Sequence, residues 1–375
     1  MRAGGGGLRF PQRVPEGCAV VGAASLEGRR FSGETLRRML EAMKPRYNGL
    51  GGGFAGYGIY PEHRDQYAFH LMYMDRDAKR AAEELLTRSL HIVDEEPIPT
   101  RSVDGIGNPP ILRRYFANVP RDFSGDPGDY MLSLVMKINS EIPGAYVMSS
   151  GKNMGVFKAV GYPSDIAEFY RIDEYEGYLW IGHGRYPTNT PGWWGGAHPF
   201  NILNTSVVHN GEISSYGTNK RYLEMWGYKC TLLTDSEVVA YSLDLLVRRH
   251  KLPIELACMA LSQPMWSEIR EEKLAKAVRI IYSDLMLDGP FSIIVGLEYQ
   301  GTPLMLALTD RIKLRPLVAA KCGSMAYIAS EECAIKRICK NPDRVWSLKA
   351  GKPEIFPINL PEEDKIGLAE KGVKA

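Results

Sequence analysis

The strand-like segments of this chain fall into two blocks separated by helical sequence, and that ordering limits the fold more than any single motif. The last third reads FSIIVGLEY (291–299), LMLALT (304–309), PLVAA (316–320) and MAYIAS (325–330), short apolar runs bounded by turn residues, with a short helix predicted from Glu331. Near the start, 18–24 is small and apolar and reads as a buried strand. Leu36, Met39, Leu40 and Met43 recur at helical spacing and predict an amphipathic helix over about 34–44. Asp77 suits the N-cap of a helix over 78–90. Residues 92–128 read as a long ordered excursion, followed by a helix near 128–140. AYVMSS and GVFKAV read as a hairpin turning at 151–153, ahead of a helix near 163–171 and a strand at 177–182. Helices follow from Ser236 to His250, near 253–262 and near 268–287. Two antiparallel blocks with helices between them give a mixed α/β chain, best arranged as two stacked sheets covered by helices. We expect one domain over 18–356 with an insertion at about 62–175, an extension at 1–17 and a tail at 357–375.

Composition removes several classes of function. The chain has 375 residues, 45% hydrophobic and 24% charged, with a net charge of +2 and no clustering of basic residues. That balance offers no argument for nucleic acid or a membrane surface. No apolar run approaches the ~18 residues of a membrane span. The first 17 residues lack the apolar stretch of a secretory signal. The six cysteines (18, 230, 258, 322, 333 and 339) show no CxxC and no paired spacing. Metal or iron–sulfur ligation is thereby disfavoured, and the five beyond Cys18 are expected to be small buried hydrophobes in a reducing cytoplasm. Gly51, Gly53 and Gly56 form a literal GxGxxG. A dinucleotide site needs a helix after those glycines, whereas a turn and a strand-like segment follow here.

The stretch IGHGRYPTNTPGWWGGAHPFNILNTSVVHNG, residues 181–211, carries most of the chemical information. Arg185 can clamp a carboxylate through paired charged hydrogen bonds. An Asn side-chain amide followed by a Gly N–H, at Asn210 and Gly211, supplies two donors for a developing oxyanion. The same dipeptide is also a common β-turn. Asp235 can hold an ammonium group or can cap the helix from Ser236. Together these groups suit an amino acid whose side chain is to be attacked, and Cys18 in EGCAVVGAAS offers the nucleophile. His183, His198 and His209 lack helical metal spacing and are read as core or loop, and Trp193-Trp194 as a mobile cover.

Cys-Ala-Val-Val-Gly, His-x-Arg-Tyr-Pro-Thr-Asn-Thr, His-Asn-Gly-Glu-Ile and Thr-Asp-Ser-Glu occur in an order that resembles the class II glutamine amidotransferases. The chain is most similar to the amidotransferase domain of glutamate synthase, particularly the short archaeal type. The resemblance spans about Cys18 to Glu354. It implies an α+β fold, the Ntn-hydrolase four-layer αββα sandwich of two antiparallel sheets flanked by helices.

It further implies Cys18, Asn210 and Gly211 as catalytic residues, Arg185, Asp235 and Thr188 as substrate-binding residues, and Asn189 as part of the same loop. L-glutamine would be hydrolysed to L-glutamate and ammonia. The base in this family is the α-amine of the cysteine itself, which requires removal of the 17 residues ahead of Cys18. Asp310-Arg311, Arg315-Pro316-Leu317 and Ser330-Glu331 match further landmarks, read as scaffold. No cofactor or metal is expected in this chain, which is too short to add a barrel of ~250 residues. FMN and an iron–sulfur cluster are expected on a separate partner, the synthase subunit of glutamate synthase. Three alternatives stay open: a related synthase such as one making N-methylglutamate, an Ntn hydrolase of another amide, and an unprocessed scaffold subunit.

Overall fold

The computed structural model describes residues 17–187 and 192–362. Its centre is a pair of stacked antiparallel sheets. The seven-stranded sheet runs, edge to edge, 344–347, 318–322, 325–329, 19–25, 179–184, 52–57 and 154–159. The five-stranded sheet runs 200–202, 205–211, 291–299, 302–309 and 354–357. Strand alternation separates the two faces of the second sheet. Val208, Ile294, Met305 and Ala307 join the core against the first sheet, while Val207, Ile293, Val295 and Leu306 pack outward under helices. Each of these side chains larger than alanine contributes about 1.5–3 kcal/mol on burial. Tyr57 ties the layers together, its hydroxyl donating to the Gly296 carbonyl at 2.6 Å.

Helices complete four layers. Glu34–Glu41, Pro163–Phe169 and Glu332–Lys336 cover the seven-stranded sheet, and Ser236–Asp244 covers the five-stranded one. The fold is therefore α+β, a helix–sheet–sheet–helix sandwich. The three glycines at 51, 53 and 56 serve the sheet. A Cβ on Gly53 would sit 2.3 Å from the Phe157 carbonyl and 2.6 Å from that of His198, so only glycine permits this approach.

Several local expectations need correction. Asp75, not Asp77, caps the second helix, accepting the Ala78 N–H at 2.8 Å ahead of Arg76–Ser89; the two aspartates flank one arginine, and sequence alone does not separate them. The excursion over 92–128 contains two strands, His91–Pro97 and Ile111–Asn118. The first hides from periodicity because it is largely exposed, its carboxylates pairing across the sheet as Glu95–Arg113 and Glu96–Arg114. With Tyr67–Tyr73 and Ala145–Ser149 they form a separate four-stranded sheet.

The expected hairpin is absent. Ala145–Ser149 belongs to that four-stranded sheet, whereas Met154–Ala159 is an edge of the seven-stranded one. The intervening link is bonded elsewhere: Leu203 N–H to Ser150 Oγ at 3.0 Å, Lys152 N–H to Asn204 Oδ1 at 2.7 Å and Tyr60 N–H to Asn153 Oδ1 at 2.8 Å. Helix 268–287 shrinks to Lys273–Ile281, and strands 200–202, 344–347 and 354–357 were too short to detect. Cys230 and Cys258 are buried as expected, but Cys333 is exposed and Cys322 is disulfide-bonded to Cys339. Their separation of 17 residues is closed by the strand-and-helix return, which spacing alone did not reveal. Among the described residues no helix is long and apolar enough to cross a membrane.

Candidate active site

Cys18 stands immediately ahead of the strand Ala19–Ser25, in the middle of the seven-stranded sheet. Ala19 pairs with Gly184 on the neighbouring strand, which places Arg185 and Tyr186 beside the cysteine. The Tyr186 N–H donates to Cys18 Sγ at 3.3 Å, and Arg46 Nε donates to the Cys18 carbonyl at 3.2 Å. Arg46 is itself held by Glu331 at 2.7 Å. Burial raises the Cys18 thiol above its ordinary pKa; the Tyr186 N–H and the charges of Arg185, Arg315 and Arg46 oppose that rise.

Asn210 and Gly211 end the strand Thr205–Gly211, pairing with Ser292 and Phe291. They are strand residues and not the centre of an Asn-Gly turn. Gly211 has φ +143°, and a Cβ there would lie 1.9 Å from the Pro290 carbonyl, so glycine is obligatory. The Asn210 side chain is buried, with Nδ2 lacking a hydrogen-bond partner among the described residues. Its Oδ1 faces the nucleophile's end of the sandwich: a Cβ built on Gly17 would be 3.8 Å from it and 3.5 Å from Arg315 Nη1.

Arg185 is 5% exposed, and its backbone N–H donates to the Gly51 carbonyl at 2.9 Å. Burial lowers its pKa, while Cys18 and Asp235 both act to raise it, so the guanidinium feels both groups. Asp235 precedes the helix Ser236–Asp244, yet its carboxylate caps no helix N–H. Oδ2 accepts the Ile213 N–H at 2.7 Å and Oδ1 accepts the Ser236 hydroxyl at 3.2 Å. The structure thus gathers Cys18, Arg185, Asn210, Gly211 and Asp235 at one end of the sandwich. Thr188 and Asn189 lie outside the described residues.

Sequence reading missed other polar groups here. Lys158, fully buried on an edge strand, donates to the Gly195 carbonyl at 2.9 Å and lies over the Phe200 ring. Burial brings its pKa down to about 7 and pushes Glu237 up to about 7, each eased by the other's charge. A lysine in the otherwise apolar GVFKAV was the available signal. Asp310, read as scaffold, accepts backbone N–H groups from Phe291, Ile312 and Leu314 at 3.3, 3.1 and 2.8 Å. That fixes the loop leading to Arg315. The three histidines are buried, His183 and His198 stacked at 4.0 Å. Of the two tryptophans, Trp194 packs against Phe169 and Trp193 against Tyr146. A groove of about 740 Å³ lined by Arg76, Lys79 and Glu83 lies on another part of the surface and contains none of the candidate site residues.

Residues 130–232, which include Arg185, Asn210 and Gly211, match the family profile of the class II glutamine amidotransferases. A protein of Archaeoglobus fulgidus without a described function is 47% identical, over 95% of this chain and 96% of its own length. Over residues 130–232 the chain is similar to the class II glutamine amidotransferases. A second relative, from Methanothermobacter thermautotrophicus and provisionally described as a glutamine amidotransferase, is 27% identical over 91% of this chain and 100% of its own. Among solved structures, the allosteric regulatory enzyme of purine biosynthesis is similar at a TM-score of 0.44 and 16% identity. The match covers 91% of this chain and 47% of that one, so the chain spans about half its length.

Proposed function

We propose that this chain is a class II amidotransferase, a glutaminase subunit that hydrolyses L-glutamine to L-glutamate and delivers the ammonia to a separate synthase. The reading is carried by one arrangement: a cysteine nucleophile flanked by a buried arginine, a carboxylate and an orphaned buried amide donor. Arg185 would take the α-carboxylate of glutamine, Asp235 the α-ammonium, and the pocket between would present the side-chain carboxamide to Cys18.

With Gly17 attached, the Cys18 nitrogen is a peptide amide and accepts no proton. Scission of the Gly17–Cys18 bond would make it an α-amine of pKa about 8, suited to proton shuttling at neutral pH. The thiol proton passes to that amine as sulfur bonds to the carboxamide carbon. Asn210 Nδ2 and the Gly211 N–H receive the oxyanion. Collapse breaks the C–N bond, the amine returns its proton to the leaving ammonia, and water then cleaves the γ-glutamyl thioester.

The partner we propose is the FMN and iron–sulfur subunit of glutamate synthase, which would aminate 2-oxoglutarate. A related synthase making N-methylglutamate fits the same site. An uncleaved, non-catalytic role is the remaining alternative, since with Gly17 attached Cys18 has no α-amine to take its proton. The deciding experiment is a glutaminase assay of wild type and Cys18→Ala, with and without the co-purified synthase, alongside N-terminal sequencing. Activity confined to a wild-type chain beginning at Cys18 supports the proposal. Activity surviving in Cys18→Ala, or an active complex in which the chain still begins at Met1, overturns it.

A further inference from the structure

His209 shares a strand with Asn210 but projects to the opposite face, toward the helix Ser236–Asp244. Its Nδ1 lies 2.9 Å from Ser236 Oγ, and Ser236 Oγ lies 3.2 Å from Asp235 Oδ1. His209 and Ser236 are enclosed, at 2% and 1% exposed, and Asp235 is half-buried. A serine hydroxyl has one proton to give. Donated to the His209 ring, it would leave the hydroxyl lone pairs facing the Asp235 carboxylate at 3.2 Å, two acceptors opposed in a buried site. Donated to Asp235, it leaves Ser236 Oγ free to accept from His209 Nδ1–H, and every contact is then attractive. The second arrangement fixes the histidine as the Nδ1–H tautomer. The backbone carbonyl of His209 accepts from His183 Nε2 at 3.0 Å, while the His209 ring Nε2 has no hydrogen-bond partner among the described residues, so Nδ1 is the ring's one polar contact there.

We infer that His209 is a positioning residue for the ammonium subsite, orienting the Asp235 carboxylate through the Ser236 hydroxyl. The inference rests on the reading of Asp235 given above. The Ile213 N–H holds the other carboxylate oxygen at 2.7 Å and the Thr234 hydroxyl reaches Oδ1 at the longer distance of 3.4 Å, so Ser236 and Ile213 make the two close contacts that set the plane of the carboxylate. One strand would then serve two subsites: Asn210 faces the reacting carbon, and His209, on the reverse side, aligns the group that holds the amino end of the same substrate.

The test is equilibrium binding by calorimetry in a Cys18→Ala background, with two ligands: L-glutamine and 4-carbamoylbutanoate, which is glutamine without its amino group. His209→Leu removes the donor, and His209→Asn returns an N–H close to the Nδ1 position. We expect His209→Leu to weaken L-glutamine binding about tenfold or more, the scale of one hydrogen bond to a charged group. Affinity for 4-carbamoylbutanoate should stay within about twofold, and His209→Asn should restore most of the loss. Ser236→Ala should reproduce the His209→Leu pattern, which keeps the test sharp if the larger substitution disturbs folding. Equal losses for both ligands, or no rescue by asparagine, overturn the inference. Asp235→Asn separates the two levels. If it weakens glutamine while His209→Leu and Ser236→Ala do not, only the positioning role falls; if it changes nothing, the assignment of Asp235 falls with it.

Discussion

The carboxylate of Asp310 accepts the backbone N–H of Phe291 at 3.3 Å, and Phe291 is the register partner of Gly211. The same carboxylate holds Ile312 and Leu314, so the strand end beside the proposed oxyanion donors and the loop to Arg315 share one anchor. Asparagine has the same shape but only one acceptor oxygen, and its NH₂ must face at least one of these N–H groups. Asp310→Asn should cost about 2–3 kcal/mol in urea unfolding and lower glutaminase activity more than it lowers glutamine affinity. A stability change with unaltered kinetics would return Asp310 to a scaffold role.

Asn210→Ala removes a buried donor that has no structural partner among the described residues. Its loss should therefore leave the unfolding midpoint within about 1 kcal/mol of wild type, because no native hydrogen bond is broken. The kcat for glutamine should fall about 10²–10³-fold, the usual cost of one oxyanion donor. A large stability loss with little kinetic effect would mean the amide supports the fold instead.

Lys158 gives the fold a pH signature. In the folded chain its pKa is about 7, against an ordinary value near ~10.4 when unfolded. Between those values the unfolded state binds more protons, so this group's contribution to stability rises with pH from about 7 to about 10. Glu237 acts in the opposite sense and lower down: its pKa is raised to about 7 in the fold, so its contribution falls as pH climbs toward 7. Lys158→Met should consequently stabilise the protein most at or below pH 7, with the advantage over wild type shrinking toward pH 10. Paired Tm measurements across that range check it, and a constant difference would contradict the buried-lysine account.

The Cys322–Cys339 bond joins the end of a central-sheet strand to the segment after the helix Glu332–Lys336, closing 17 residues. A loop of that size restricts the unfolded chain by roughly 3 kcal/mol. Cys322→Ser should lower stability by about that amount under oxidising conditions and by little in excess reductant. Equal stability of the two proteins in both conditions would show that the bond does not form.

What could be read in the residue order was what short stretches determine. The amphipathic helix at Leu36–Leu40, the apolar strands of the last third and the motif residues Cys18, Arg185, Asn210 and Asp235 all signal within a few positions. Contacts made across the sandwich left no local trace. Arg46 reaches the carbonyl of Cys18 from 28 positions away, and Glu331 reaches Arg46 across 285. The exposed strand His91–Pro97 draws its stability from arginines on its neighbour and lacks an apolar face, so alternation had nothing to mark. That Asp235 caps no helix N–H depends on where its carboxylate points, toward the Ile213 N–H and the Ser236 hydroxyl, which the residue order does not show.

The grip of Arg46 on the carbonyl of Cys18, and of the Tyr186 N–H on its sulfur, both act downstream of the peptide joining residues 17 and 18. Cutting that peptide would therefore sever no tether of the cysteine itself. Were the scission proposed above to occur, the cysteine would stay seated, without first searching for its berth.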